Sequence, residues 1–467
     1  MRSAMKLKLI SLLFAFAPAA YAATPVCSPW QASKVYVKGD YVQVQSKVWR
    51  AKWWSQNNQP GAADVWEARL PGECTPDSSN PGNPGDAGNP AGSPAVPSRK
   101  EAETEEAKKT DNSLFKRIQA SVRTLDSAAV DAVQPGRSAN PLNVKRVERI
   151  LSAADWQTLF PLRDASYSYT RFLQAIAKFP AVCDDYSDGR NAEAICRKTL
   201  ATMFAHFAQE TGAHDPNSSV PQWRQGLYFL REAGCSDNDT SCGYNAECEP
   251  STWQGQTWPC GKDASGRWKK YYGRGAKQLS YNYNYGPFSD AMFGTVRTLL
   301  DKPELVADTW LNLASAIFFF VYPQPPKPSM LHVVDGSWQI NDADRQAQLI
   351  PGFGATIHII NGGIECGQGY DKPQAQNRIS YYQSLAAYFA VPIAAGEALS
   401  CANMKAFPAG GAGAQLLYWE QDWSYDPRRP DGKSYACKLV SYQTPHYALK
   451  AGDYVRCVEH HFKVVLK

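Results

Sequence analysis

Residues 204–215 read "FAHFAQETGAHD", and they place one carboxylate, Glu210, at the end of an apolar run, just before Thr211 and Gly212. Leu200, Met203, Phe204 and Phe207 recur at three- and four-residue spacing, which predicts a buried helix, and Gly212 stands where such a helix stops. Glu210 then sits at the edge of a core. A carboxylate partly removed from water holds its proton more tightly, which suits a general acid; the plainer alternative is a solvated residue at a helix end.

The same helical pattern extends outward from this stretch. Long amphipathic segments at 191–211, 290–300 and 373–390 predict a mainly α domain over 141–403. The apolar run Trp310 to Tyr322 carries Asn312 and Ser315 and is followed by Pro323, so it reads as a core helix and not a membrane span. Before this domain, "TPDSSNPGNPGDAGNPAGSPAVPS" (75–98) cannot bury a core and acts as a tether. The charged stretch after it extends the expected linker to 75–140.

The first residues predict export. Arg2, Lys6 and Lys8, the apolar run Leu9 to Ala17 and Ala20-Tyr21-Ala22 form a secretory signal over 1–22. Twelve cysteines in an exported chain are then most simply disulfides, paired locally as 27–74, 183–196, 235–242, 248–260, 366–401 and 437–457. The net charge of +5 implies no nucleic-acid partner. The seven histidines show no metal-ligand spacing, so no metal or other cofactor is expected. The expected product is an extracellular monomer with no membrane association.

Residues 27–74 form a different kind of unit. "KVYVKGDYVQVQSKVWRAKWW" alternates apolar and polar residues and turns at Lys38-Gly39-Asp40, which predicts a small all-β module. Adjacent strand residues point to opposite faces, so Trp53 and Trp54 cannot both be core; an exposed ring can stack on a sugar. "WQASKVYVKGDYVQVQSKVWRAKWWSQNNQPGAADVWE" (30–67) resembles the chitin-binding modules of carbohydrate-binding families 5 and 12. The resemblance implies that Trp53 and Trp54 form the sugar platform, with Trp30 or Tyr36 beside them. At the other end of the chain, beyond "AGGAGA" (409–414), Gly452-Asp453-Tyr454-Val455 repeats Gly39-Asp40-Tyr41-Val42. Residues 415–467 are therefore expected as a small β module, either a degenerate carbohydrate-binding repeat or a chance likeness of two hairpins.

Cutting a glycosidic bond takes two carboxyls, so Glu210 needs a partner. Glu232, in "WRQGLYFLREAG", again follows aromatic and apolar residues and precedes a glycine; Asp215, Asp237, Asp239, Glu247 and Glu249 lie in polar, turn-like sequence. Spacing alone does not choose among them. "KKYYGRGAKQLSYNYNYG" (269–286) is rich in hydrogen-bonding side chains, and "PGFGATIHIINGGIECGQG" (351–369) joins an apolar run to a Gly-rich turn containing Asn361. These segments, with "YSYTRFLQAIAKFP" (167–180) and "NRISYYQSL" (377–385), resemble glycoside hydrolase family 19 in order.

That resemblance implies a lysozyme-like, two-lobed catalytic domain with a cleft, acting as an endo-chitinase on chitin and chitooligosaccharides. Glu210 would be the general acid and Glu232 the general base of an inverting reaction, their carboxyls roughly 6.5–9.5 Å apart. Ser280 would hold the attacking water, and Thr211, Gln278, Asn284, Asn361 and Arg378 would line the substrate site. Gln209 departs from the family, which usually has His before the acid, and "GLYFLREAGC" lacks a cysteine found in plant members. A peptidoglycan hydrolase and a non-catalytic chitin-binding protein are the competing readings.

Overall fold

The computed structural model describes the chain except residues 1–27, 33–34, 37–39, 53–54, 57, 63–64, 71–95, 238–241 and 430. The signal segment, the Cys27–Cys74 pairing and the Trp53-Trp54 pair lie outside the described residues. Two units are present, divided near residue 91.

In the smaller unit, strand Lys47–Ala51 pairs antiparallel with both Tyr41–Val44 and Trp66–Arg69, and Val35–Tyr36 pairs with Ser55–Gln56. Alternation puts Trp49 and Ala51 on one face of their strand, with Val42 in register beside Trp49, and this face joins the module's core; Val48, on the opposite face, is buried as well. Tyr36 was expected beside the sugar platform, but it is 2% exposed and packs edge-on against Trp66 at 5.2 Å. A module this small needs its largest rings for its core, which removes Tyr36 from any binding face. Trp30 is half-buried and packs on the same cluster.

Among its described residues the larger unit is mainly helical with one small antiparallel sheet. Its central helix, Ala192–Thr211, is capped by the Asn191 side chain, which accepts from Ala194 N–H, and it packs along Pro373–Tyr388. Phe204 meets Trp156, Phe160 and Phe172 in one aromatic cluster with centroids 4.7–5.8 Å apart. Leu311–Val321 is a core helix, as its composition predicts. The expected helix over 290–300 is broken: Asn282–Phe293 ends at Gly294, whose φ of 70° is left-handed, and Arg297–Asp301 is a separate helix. Five disulfides, 183–196, 235–242, 248–260, 366–401 and 437–457, join the cysteines in the expected local pairs.

Two boundaries differ from expectation. Residues 99–140 are not a spacer: Arg99–Thr110 and Ser113–Val122 are helices, the first started by a Ser98–Glu101 capping box. Phe115, Ile118 and Val122 share a core with Leu417, Trp419, Tyr454, Val458 and Phe462, so this segment and residues 415–467 fold together. The likeness of 452–455 to 39–42 also stops at sequence. Tyr41–Val44 is a strand, whereas Asp453–Phe462 is a helix whose Tyr454, Val455, Val458 and Phe462 fall on one buried face. The strands of this region are Tyr418–Gln421 and Cys437–Val440.

Candidate active site

Glu210 occupies the last turn of Ala192–Thr211, with its side chain 16% exposed. The next residue ties it to Glu232. Thr211 Oγ1 donates to Phe207 O at 2.6 Å and accepts from Leu227 N–H at 2.7 Å, while Thr211 O accepts from the N–H groups of Tyr228 and Phe229. Thr211, expected at the substrate, is fully buried and has its hydroxyl engaged inside the fold. It fixes the segment that carries Glu232 against the helix that carries Glu210.

Glu232 is held at three points. Its N–H donates to Gly273 O, Oε2 accepts from Gly273 N–H at 2.9 Å, and Oε1 accepts from Tyr244 OH at 2.7 Å. Gly273 leaves room for both side chains: a Cβ there would lie 2.7 Å from Gln278 Oε1 and 3.2 Å from Glu232 Oε2, so either would have to move aside. Among the rival carboxylates, Asp237 pairs with Arg274 and Glu249 accepts from Trp268 Nε1, both structural contacts.

Behind Glu210 lies a buried charge network. Arg378, 2% exposed, donates through Nε and Nη2 to both oxygens of Glu365 at 2.9 Å, and Nη2 also donates to Glu210 Oε1. Arg378 Nη1 meets His206 Nδ1 at 3.2 Å, and His206 Nε2 meets Thr356 Oγ1 at 2.9 Å. Thr356 gives its own proton to Phe353 O, so Nε2 carries the imidazole hydrogen and Nδ1 accepts from arginine. Burial and the Arg378 charge push the His206 pKa far down, so the ring is neutral. Asn361, at a kink in Phe353–Glu365, donates to Glu365 Oε1 at 2.8 Å, so its amide orients the buried acid.

The electrostatics correct the expectation that Glu210 keeps its proton. Burial pushes its pKa up, but the charges of Lys277 and Arg378, with the Arg378 hydrogen bond, outweigh that and leave it below the ordinary value. Lys277 lines the same small pocket as Glu210, its Nζ 4.6 Å from the Phe319 ring centroid. The carboxylate is ionised at rest.

Segment 278–284 forms another part of the site. Ser280 Oγ donates to Gln278 O at 2.9 Å, Gln278 Nε2 donates to Gly275 O, and Asn284 Nδ2 donates to Ser280 O. Lys277, Glu365, His206 and Tyr244 were not singled out from sequence. Glu365 alone left a signal, as a carboxylate inside the Gly-rich turn after Asn361.

Residues 154–401, more than half of the chain, match the family model described as chitinase class I, glycoside hydrolase family 19. The chain belongs to this family. Residues 29–67 match carbohydrate-binding module family 5/12. Endochitinase 1 of Solanum tuberosum is 39% identical over 246 residues, 52% of this chain and 68% of the relative. The basic 30 kDa endochitinase of Solanum lycopersicum is 39% identical over 52% of this chain and 67% of its own length, and the basic endochitinase of Vitis vinifera 37% over 52% and 69%. The family match spans the segments that carry Glu210, Glu232, Lys277, Glu365 and Arg378.

Proposed function

We propose that this chain is a secreted, inverting endo-chitinase that hydrolyses β-1,4 bonds between N-acetylglucosamine units, anchored to chitin by its N-terminal module. The observation that carries the reading is the group of hydrogen bonds through Thr211 that fastens the segment bearing Glu232 to the helix bearing Glu210. The names of the relatives, all endochitinases, support the substrate, and the signal pattern supports secretion. A tethered module raises local concentration at the polymer without new contacts in the cleft.

In this mechanism Glu232, oriented by Tyr244 and Gly273 N–H, takes a proton from a water as its oxygen attacks the anomeric carbon. Ser280 gives its own hydrogen to Gln278 O, so its oxygen serves as an acceptor that positions this water. Glu210 gives a proton to the departing glycosidic oxygen as the bond breaks. Because Glu210 is ionised at rest, it takes up that proton when sugar excludes the remaining water and adds to the burial that favours its neutral form.

The test is proton NMR of fresh products from chitin hexamer. The expected first product carries the α-anomer at its new reducing end, and Glu210→Gln lowers turnover by roughly 10²–10⁴-fold. An initial β-anomer, or an unimpaired Glu210→Gln, refutes the assignment.

A further inference from the structure

A cavity of about 820 Å³ lies within the larger unit, walled by residues 253–327 of the catalytic region, residues 418–456 of the C-terminal segment and residues 119–124. That volume is in the range of ligand sites, ~300–1,000 Å³. Trp253, Tyr283 and Asn284 line one side, and Ser441, Gln443 and Tyr447 the other. Gln443 Nε2 donates to Tyr283 O at 3.1 Å and Lys450 pairs with Asp290 at 2.6 Å, so the C-terminal wall is fastened to the catalytic one.

The cavity is connected to the candidate active site by an unbroken run of rings. Tyr244, which donates to Glu232, meets Tyr281 at 4.9 Å; Tyr281 stacks on Tyr283 at 5.1 Å, and Tyr283 faces Trp253 at 6.3 Å. Phe319 lines both this cavity and the small pocket at Glu210. Aromatic faces interleaved with side-chain amides suit a pyranose ring bearing an acetamido group, and Trp253 leaves 52% of its surface open to receive one. We infer that this cavity binds N-acetylglucosamine units of the chitin chain beyond Glu232, and that residues 441–450 of the C-terminal segment set how long a chain the enzyme prefers. This rests on the chitinase reading proposed above.

The experiment compares kcat/KM on chitin tetramer and hexamer for the full chain, Ser441→Trp, which fills the cavity, and Trp253→Ala, which removes an open ring. Both variants are expected to lose about tenfold on the hexamer, mainly through KM, and less than about twofold on the tetramer. Equal losses on both oligomers would mark a merely structural wall, and unchanged values on both would mean the cavity takes no sugar; either overturns the inference. A wild-type protein that cuts neither oligomer overturns the chitinase reading itself, whereas wild-type cleavage with unchanged variants overturns the cavity alone.

Discussion

Replacing Lys277 by Met tests whether the resting charge state of Glu210 is set by its cationic neighbours. The Lys277 charge holds the Glu210 pKa down together with Arg378, which acts through both its charge and its hydrogen bond, and both oppose burial. An opposite charge beside a carboxylate favours its ionised form, so removing the lysine charge raises the Glu210 pKa. Arg378 forms the direct ion pair and remains in the variant, so part of the depression persists. Stability at neutral pH changes little, because burial also disfavours the lysine charge and pushes its pKa down.

The sign of the kinetic effect follows from the general-acid role. With Glu210 as the proposed general acid, activity requires its protonated form, so its pKa in the free enzyme appears as the alkaline limb of kcat/KM against pH. Lys277→Met moves that limb upward, and Lys277→Arg, which keeps the charge, leaves it in place. On the stability side, a depressed folded pKa gives stabilisation that is present above the ordinary value of 4.5 and lost as pH falls through the folded value. The Met variant therefore loses less melting temperature on acidification. A limb that stays put or moves down in Lys277→Met refutes the electrostatic account of Glu210.

Arg378→Gln leaves Glu365, itself 1% exposed, as a buried charge without its main partner. A loss of roughly 3–5 kcal/mol is expected in denaturant unfolding, with most of it restored in the Arg378→Gln/Glu365→Gln double variant; a double variant as unstable as the single one contradicts the pairing. Gly273→Ala pushes on the far end of Gln278 and on the Glu232 carboxylate, so thermal melting should stay near wild type while kcat/KM falls roughly tenfold to a hundredfold. Wild-type activity in that variant would show that neither group needs its present place. Tyr244→Phe removes a hydrogen bond to a carboxylate, worth ~1.5–3 kcal/mol, and should lower kcat by about tenfold or more; an unchanged kcat would dismiss Tyr244 as a positioning residue.

The sequence showed what short-range pattern can carry. The helix under Glu210 is legible because Leu200, Met203, Phe204 and Phe207 sit on one turn-spaced face, and the disulfides are legible because local pairing needs only nearby cysteines. Arg378 and His206 meet across 172 positions, and no periodicity encodes that contact. Tyr36 was misplaced for a related reason: alternation tells which residues share a face of a strand but not which face turns inward. The segment 99–122 reads as spacer because "RKEAETEEAKKT" looks solvated even as a short helix, and the apolar Phe115, Ile118 and Val122 find their core only with residues 417–462. The charge state of Glu210 could not be read at all, since it is the difference between burial and two cations brought from residues 277 and 378.

The arrangement separates two tasks that the carboxyls must perform. Their placement relative to each other depends on backbone groups, Thr211 O and Gly273 N–H and O, with the Thr211 hydroxyl, and none of these changes charge. The proton affinity of the acid depends instead on Arg378 and Lys277, which can be altered without touching that backbone frame. Substitutions at 277 should therefore tune the pH range of the reaction at nearly constant geometry, whereas substitutions at 211 or 273 should lower the rate at every pH. A rigid frame with an adjustable electrostatic backing also explains how Glu210 can rest ionised yet act as an acid: entering sugar shifts the balance between burial and the cations and leaves the frame unmoved.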